Sequence, residues 1–183
     1  VGATVRSPYR LADLADDTAG LLDALGLKRA HVCGASMGGM IAQHLAVRHP
    51  QRLASLTLMM TGSGSRRLPQ PGWKVQAAML SRPKDPRSLD SVIEHGVRIY
   101  KVIGSPGFPF DEKIMRERLR SDVLRCYEPA GVARQLAAVI ANGDRRPKLG
   151  KMKAPTVVLN GDSDPLVNVE GGGESGQAGA VRH

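Results

Sequence analysis

The stretch "AHVCGASMGGMIAQHLAVRHPQRLASLTLMM", residues 30–60, constrains the fold more than any other part of the chain. A short β-prone run around Val32 enters a turn in which Gly34, Ala35, Ser36, Gly38 and Gly39 are all small. Helical spacing follows in Met40, Ile41, Leu45 and Val47, until Pro50 stops it, and 53–60 is then apolar, as a buried strand is. Two strands joined by a helix pair in parallel, because a parallel pair needs a long crossover. Upstream, the apolar residues 11, 14, 15, 18, 21, 22 and 25 predict an amphipathic helix, with Gly26 where a C-terminal cap belongs. Helix, strand, helix, strand is the rhythm of a parallel α/β sheet.

From Thr61 the character changes. "TGSGSRRLPQPG" reads as a loop, and helical segments follow at about 72–81, 87–103, 111–126 and 129–141 with no strand-like run between them. Trp73, Val92, Ile93, Val97, Tyr100, Ile114, Leu119, Leu124, Leu136, Val139 and Ile140 are assigned to their apolar faces. The strand signal resumes in "TVVLN", 156–160, and "GDSDP" follows it. A helical block inserted between two parallel strands predicts a cap over the sheet's C-terminal edge, where α/β proteins bind ligands. The domain reading is therefore 1–62 as the first part of an α/β core, 63–150 as a helical cap, 151–170 as the returning strand and its loop, and 171–183 as a flexible tail. "GGGESGQAGAVRH" holds too little apolar material to build a buried strand.

Gly34-Ala35-Ser36-Met37-Gly38 fits G-x-S-x-G in the context that motif requires, after a strand and opening a helix. A serine at the tip of so sharp a turn needs small neighbours, which Gly34 and Gly38 supply, while Gly39 allows the helix close to the sheet. The helix N-terminus brings partial positive charge, and the backbone N–H of Met37 is placed to stabilise an oxyanion. Neither a dinucleotide fingerprint nor a P-loop is matched by "GASMGG". A nucleophilic serine needs a histidine as base and a carboxylate to orient it; "GDSDP" offers Asp162 and Asp164.

These motifs, over about 10–62 and 153–170, resemble the α/β-hydrolase superfamily, and within it the esterases similar to aclacinomycin methylesterase and other lipase or carboxylesterase-like proteins. The resemblance implies a partial α/β-hydrolase fold: a parallel sheet with flanking helices and an inserted helical cap. It implies Ser36 as nucleophile, the Asp closing G-x-x-D, Asp164, as triad acid in preference to Asp162, and a histidine after that acid. His31, His44, His49 and His95 all precede Asp164, so only His183 follows it. The family's oxyanion loop would come before residue 11, and "VGATVRSPYR" contains nothing to serve, so the chain is read as an incomplete member. The implied activity is hydrolysis of a small, rather hydrophobic carboxylic ester, without cofactor or metal. Other chemistry on the same serine framework, such as C–C or thioester hydrolysis, is the alternative, and beyond it a binding protein or fragment without catalysis.

Composition limits the partners. The net charge of +9 sits mostly in 63–150, where 17 basic residues face 9 acidic ones. The two signs are interleaved and aromatics are only 3% of the chain, so a solvated helical surface is favoured over nucleic-acid binding. No apolar run approaches the roughly 20 residues of a membrane span, and no signal peptide is visible, which makes the cytoplasm the default location. Cys33 and Cys126 read as reduced thiols near the core.

Overall fold

In the computed structural model, residues 6–65, 67–167 and the backbone of 180–181 are described. The chain runs α1 (Leu11–Ala24), β1 (Ala30–Ala35), α2 (Met37–Arg48), β2 (Leu53–Met59), α3 (Trp73–Leu80), α4 (Leu89–Ile103), α5 (Glu112–Arg125), α6 (Pro129–Asn142), the single turn α7 (Arg146–Leu149), β3 (Thr156–Leu159) and β4 (Ala180–Val181). The strands lie in the order β1-β2-β3-β4, and all three pairings are parallel. The parallel α/β expectation holds.

Local chemistry explains the boundaries. Helix α1 ends in a Schellman motif: Gly26 adopts φ 66°, its N–H donates to Asp23 O, and the N–H of Leu27 donates to Leu22 O. Ser88 caps α4 by accepting from the N–H of Ser91, and Asp111 caps α5 by accepting from Ile114.

The core lies between α1, α2 and one face of the sheet, where Ala15, Ala19, Ala42, Leu45, Ala46, Leu53, Leu56 and Leu58 are buried together with Leu149 and Met152. Each fully buried leucine there removes enough apolar surface from water to contribute about 2 kcal/mol. The alanines on α1 and α2 let the two helices approach closely. Helix α2 is buried from Ala42 to Ala46, because α1 and the sheet cover most of it while Gln43 and His44 meet Arg145, Gly62 and Asn142 on the remaining side.

Three expectations are corrected. Of the residues assigned to apolar faces in the helical block, Val92, Ile93 and Val97 are buried, but Trp73, Tyr100, Ile114, Leu124 and Ile140 are exposed. Helix α5 packs on α4 and buries no residue completely, since a single neighbouring helix cannot cover an apolar face. Cys33 and Cys126 are exposed rather than near the core; Cys33 lies on β1, one of the two edge strands among the described residues. Finally, within the segment 171–183, read as a flexible tail unable to build a buried strand, the backbone of Ala180 and Val181 pairs with Thr156 and Val157. Backbone pairing at the open edge of β3 requires no apolar run, only two extended residues.

Candidate active site

The register carries the C-terminal ends of three strands to one level: Ala35 pairs with Met59, and Met59 with Leu159. Ser36, Met60 and Asn160 are the next residues, so the turn with Ser36 and the loop with Asp164 leave the same edge of the sheet.

Ser36 adopts φ 50°, ψ −118° and is exposed. A serine that merely capped α2 would sit in the extended region with its hydroxyl accepting a helix N–H. Ser36 occupies the N-cap position yet makes no capping bond. A non-glycine residue at such a φ costs on the order of 1–3 kcal/mol and needs its surroundings to hold it there. The surroundings are defined. Ser36 N–H donates to Met59 O at 2.8 Å, and its carbonyl accepts from Thr61 Oγ1 at 2.8 Å, from Gly39 N–H at 3.0 Å and from Met40 N–H at 3.2 Å. Met37 is the first residue of α2, and first-turn N–H groups have no intrahelical acceptor.

The three glycines differ in what they allow. A Cβ on Gly34 would lie 2.5 Å from the carbonyl oxygen of Gly38, so the turn closes only on glycine. A Cβ on Gly38 would meet nothing within 4 Å, so a side chain as small as alanine's has room there. A Cβ on Gly39 would come within 2.6 Å of the Thr61 side chain; the close approach is to the residue beyond the end of β2, not to the sheet itself.

Of the two candidate carboxylates, Asp164 is the organised one. Its Oδ1 accepts from the N–H groups of Leu166 at 2.8 Å and Val167 at 2.9 Å, which fixes the carboxylate and leaves Oδ2 outside that turn. Asp162 is exposed and, among the described residues, accepts a side-chain hydrogen bond from Ser163 Oγ at 3.2 Å.

Among the described histidines, none is hydrogen-bonded to Ser36 or Asp164. His31 Nδ1 lies 2.7 Å from Ser55 Oγ on β2, and His49 Nε2 donates to Asp16 Oδ1 at 2.7 Å. His44 Nε2 donates to Asn142 Oδ1 at 2.7 Å, joining α2 to α6; burial, with Arg145, Lys148 and Arg48 nearby, holds its pKa below the usual value. His95 on α4 is also shifted downward, by burial and then by Arg98. His183 lies outside the described residues. No cluster of three or more metal-ligating side chains occurs among the described residues.

Sequence reasoning missed Arg145 and Asn160. Arg145 is 3% exposed and ties three segments together: Nε donates to Gln43 Oε1 at 2.6 Å, Nη2 to Gly62 O at 2.6 Å, and its backbone N–H to Ser63 O at 2.9 Å. Burial pulls its pKa down to about 10, so it stays charged at neutral pH. Asn160 has both side-chain polar atoms buried without a partner, between β3 and the Asp164 loop. A cavity of about 330 Å³ opens beside Arg145, lined also by Met40, Val139, Ile140, Leu166 and Val167 among others; Ser36, Asn160 and Asp164 are not among its lining residues.

A strand ending in a strained serine at a helix N-terminus, with an ordered aspartate on the loop after the strand two places along a parallel sheet, defines a class of α/β enzyme scaffold. The family description "alpha/beta hydrolase fold" matches residues 2–98, and the chain belongs to that family. It is similar to a poly(3-hydroxyalkanoate) depolymerase of Ectopseudomonas oleovorans, 33% identical over 165 residues, 90% of this chain and 55% of that one. A 2-hydroxy-6-oxononadienedioate/2-hydroxy-6-oxononatrienedioate hydrolase of Paraburkholderia xenovorans is 32% identical over 158 residues, 84% of this chain and 52% of the relative. Among solved structures, the enol-lactonase from Burkholderia xenovorans LB400 superposes with a TM-score of 0.70 at 26% identity, over 96% of this chain and 64% of that one. The chain thus spans between about half and two thirds of the length of these relatives.

Proposed function

We propose that the chain is a serine hydrolase of carboxylic esters that works through an acyl-enzyme, with Ser36 as nucleophile. The observation that carries this reading is the Ser36 backbone, φ 50° and ψ −118° at a strand-to-helix junction, with the hydroxyl not used as a helix cap. In this reading Ser36 Oγ attacks the ester carbonyl and loses its proton to a histidine. The Met37 N–H stabilises the oxyanion, and the protonated histidine then releases the alcohol. Asp164 orients the histidine. His183 takes the base role as the histidine that follows Asp164 in the sequence. Water hydrolyses the acyl-enzyme by the same proton path in reverse.

The 330 Å³ cavity has apolar walls in Met40, Val139, Ile140, Leu166 and Val167 with Arg145 among them; in this reading it takes the part of a small substrate that lies away from Ser36, and the helical block over the sheet edge acts as the cap. No helix among the described residues is long and apolar enough to cross a membrane. The substrate in this reading is a small molecule met in the cytoplasm rather than a nucleic acid.

The test is fluorophosphonate labelling of the intact chain. Labelling that disappears in Ser36→Ala supports the nucleophile, and a wild-type protein that stays unlabelled overturns it. His183→Ala should label about a hundredfold more slowly or worse, since a general base contributes roughly 10²–10⁴-fold; an equal rate would take the base role from His183. A second reading, hydrolysis of a C–C bond beside a ketone, is favoured by the dienedioate hydrolase, whose named substrate carries no ester. Turnover of p-nitrophenyl esters against vinylogous diketones separates the two.

A further inference from the structure

We infer that Thr61 is a positioning residue for Ser36, delivered to it by the strained backbone of Met60; this rests on the reading of Ser36 as nucleophile. Two non-glycine residues among those described have left-handed φ values, Ser36 at 50° and Met60 at 48°, and they lie back to back at the ends of the paired strands β1 and β2. Strain at Ser36 has a chemical purpose; Met60 is half exposed and offers no reactive group.

What the Met60 kink accomplishes is visible in the next residue. Thr61 is completely buried, its Oγ1 donates to Ser36 O at 2.8 Å, and its side chain fills the space that the absent Cβ of Gly39 leaves. With Ser36 N–H donating to Met59 O, both polar groups of the Ser36 backbone are gripped by the strand end that carries Met60. A carbonyl oxygen has two lone pairs, and the N–H groups of Gly39 and Met40 already address this one. The hydroxyl of Thr61 is therefore not required to satisfy Ser36 O; it fixes the direction of that carbonyl, and with it the peptide plane that points the Met37 N–H. The strut is itself anchored, because Gly62 O accepts from Arg145 Nη2 and, at 3.4 Å, from Gln43 Nε2.

Two substitutions separate positioning from packing. Thr61→Val keeps the shape and loses the hydrogen bond; Thr61→Ser keeps the bond and loses the methyl group. Positioning predicts that Thr61→Val lowers kcat for a p-nitrophenyl ester, and the rate of Ser36 phosphonylation, by about 10- to 100-fold with KM within about threefold, while Thr61→Ser stays within about threefold of wild type. The opposite ranking, or no effect of Thr61→Val, overturns the proposal.

A wild-type chain that fails to label loses the nucleophile reading, and the role of Thr61 is then read from the backbone. The amide resonances and hydrogen exchange of Ser36 and Met37 should change in Thr61→Val and not in Thr61→Ser. Unchanged amides in both variants would sink the positioning role independently of any activity.

Discussion

A Cβ built on Gly34 would lie 2.5 Å from the carbonyl oxygen of Gly38, so the last glycine of β1 and the first turn of α2 are in backbone contact across Ser36. Backbone cannot swing aside as a flexible side chain can. Gly34→Ala should open the turn, destabilise the protein by about 2 kcal/mol or more, as other strained or overpacked core changes do, and abolish Ser36 labelling. Gly38→Ala has open space at its Cβ and lies in a helix, where alanine is favoured over glycine by about 1 kcal/mol. Urea titration of both variants checks the contrast: equal losses from the two glycines would refute it.

Strain at Ser36 predicts a trade of stability against reactivity. Glycine adopts φ 50°, ψ −118° without a Cβ clash, so Ser36→Gly should be as stable as wild type or more so, by up to about 1 kcal/mol, while losing all labelling. A variant clearly less stable than wild type would show that the serine side chain supports the fold, which is the role of a structural turn residue.

The local grammar of the chain was readable and its long-range contacts were not. The limits of the four longer helices between β2 and β3 were legible to within two residues, though the single turn α7 was not, because periodicity and caps such as Ser88 and Asp111 are encoded within a few positions. The turn at Ser36 was legible for the same reason. Thr61 was not, because its contact with Ser36 exists only once β1 and β2 pair in register. Arg145 shows the limit most clearly. In "NGDRRPK" the two arginines look alike, yet Arg146 binds its neighbour Asp144, with Nη2 2.6 Å from Oδ2, at the surface, while Arg145 turns inward to Gln43 and Gly62. Which side of a turn faces the core is decided by segments a hundred residues apart in the chain.

That inward turn makes Arg145 the clasp between the end of the helical block and the loop beneath it. Arg145→Met keeps the length of the side chain but leaves Gln43 Oε1 and Gly62 O without their charged donor. Losing a charged donor to a buried acceptor costs about 1–3 kcal/mol; Gly62 O keeps the longer bond from Gln43 Nε2, and the cost is set against the relief of no longer burying a cation, so a net loss of about 1 kcal/mol is expected in chemical denaturation. Arg145→Lys should recover only part of it, since one ammonium group cannot reproduce the planar fork that reaches both acceptors. A fully stable Arg145→Met would mean that the cation is tolerated rather than used.

His44 is expected to make stability sensitive to acid just below neutral pH. Its pKa in the folded protein is below the ordinary 6.5, first because of burial, with Arg145, Lys148 and Arg48 adding to the effect and the Asn142 bond opposing it. The unfolded chain therefore binds the proton more readily than the folded one. Above pH 6.5 the residue is neutral in both states and costs nothing; as pH falls below 6.5 toward the folded pKa, stability declines, by at most about 1.4 kcal/mol per pH unit for one proton. His95 shifts in the same direction and contributes with the same sign. Asp16, whose pKa is held near 2 by Arg48 and His49, matters only at much lower pH, where falling through the range from 3.8 to about 2 removes its ion pairs. Thermal melts between pH 7 and 5 should show Tm decreasing in wild type, a flatter profile in His44→Gln, and the flattest in His44→Gln/His95→Gln. A wild-type slope unchanged by His44→Gln would assign the acid sensitivity elsewhere and leave the His44–Asn142 contact as a pH-independent link between α2 and α6.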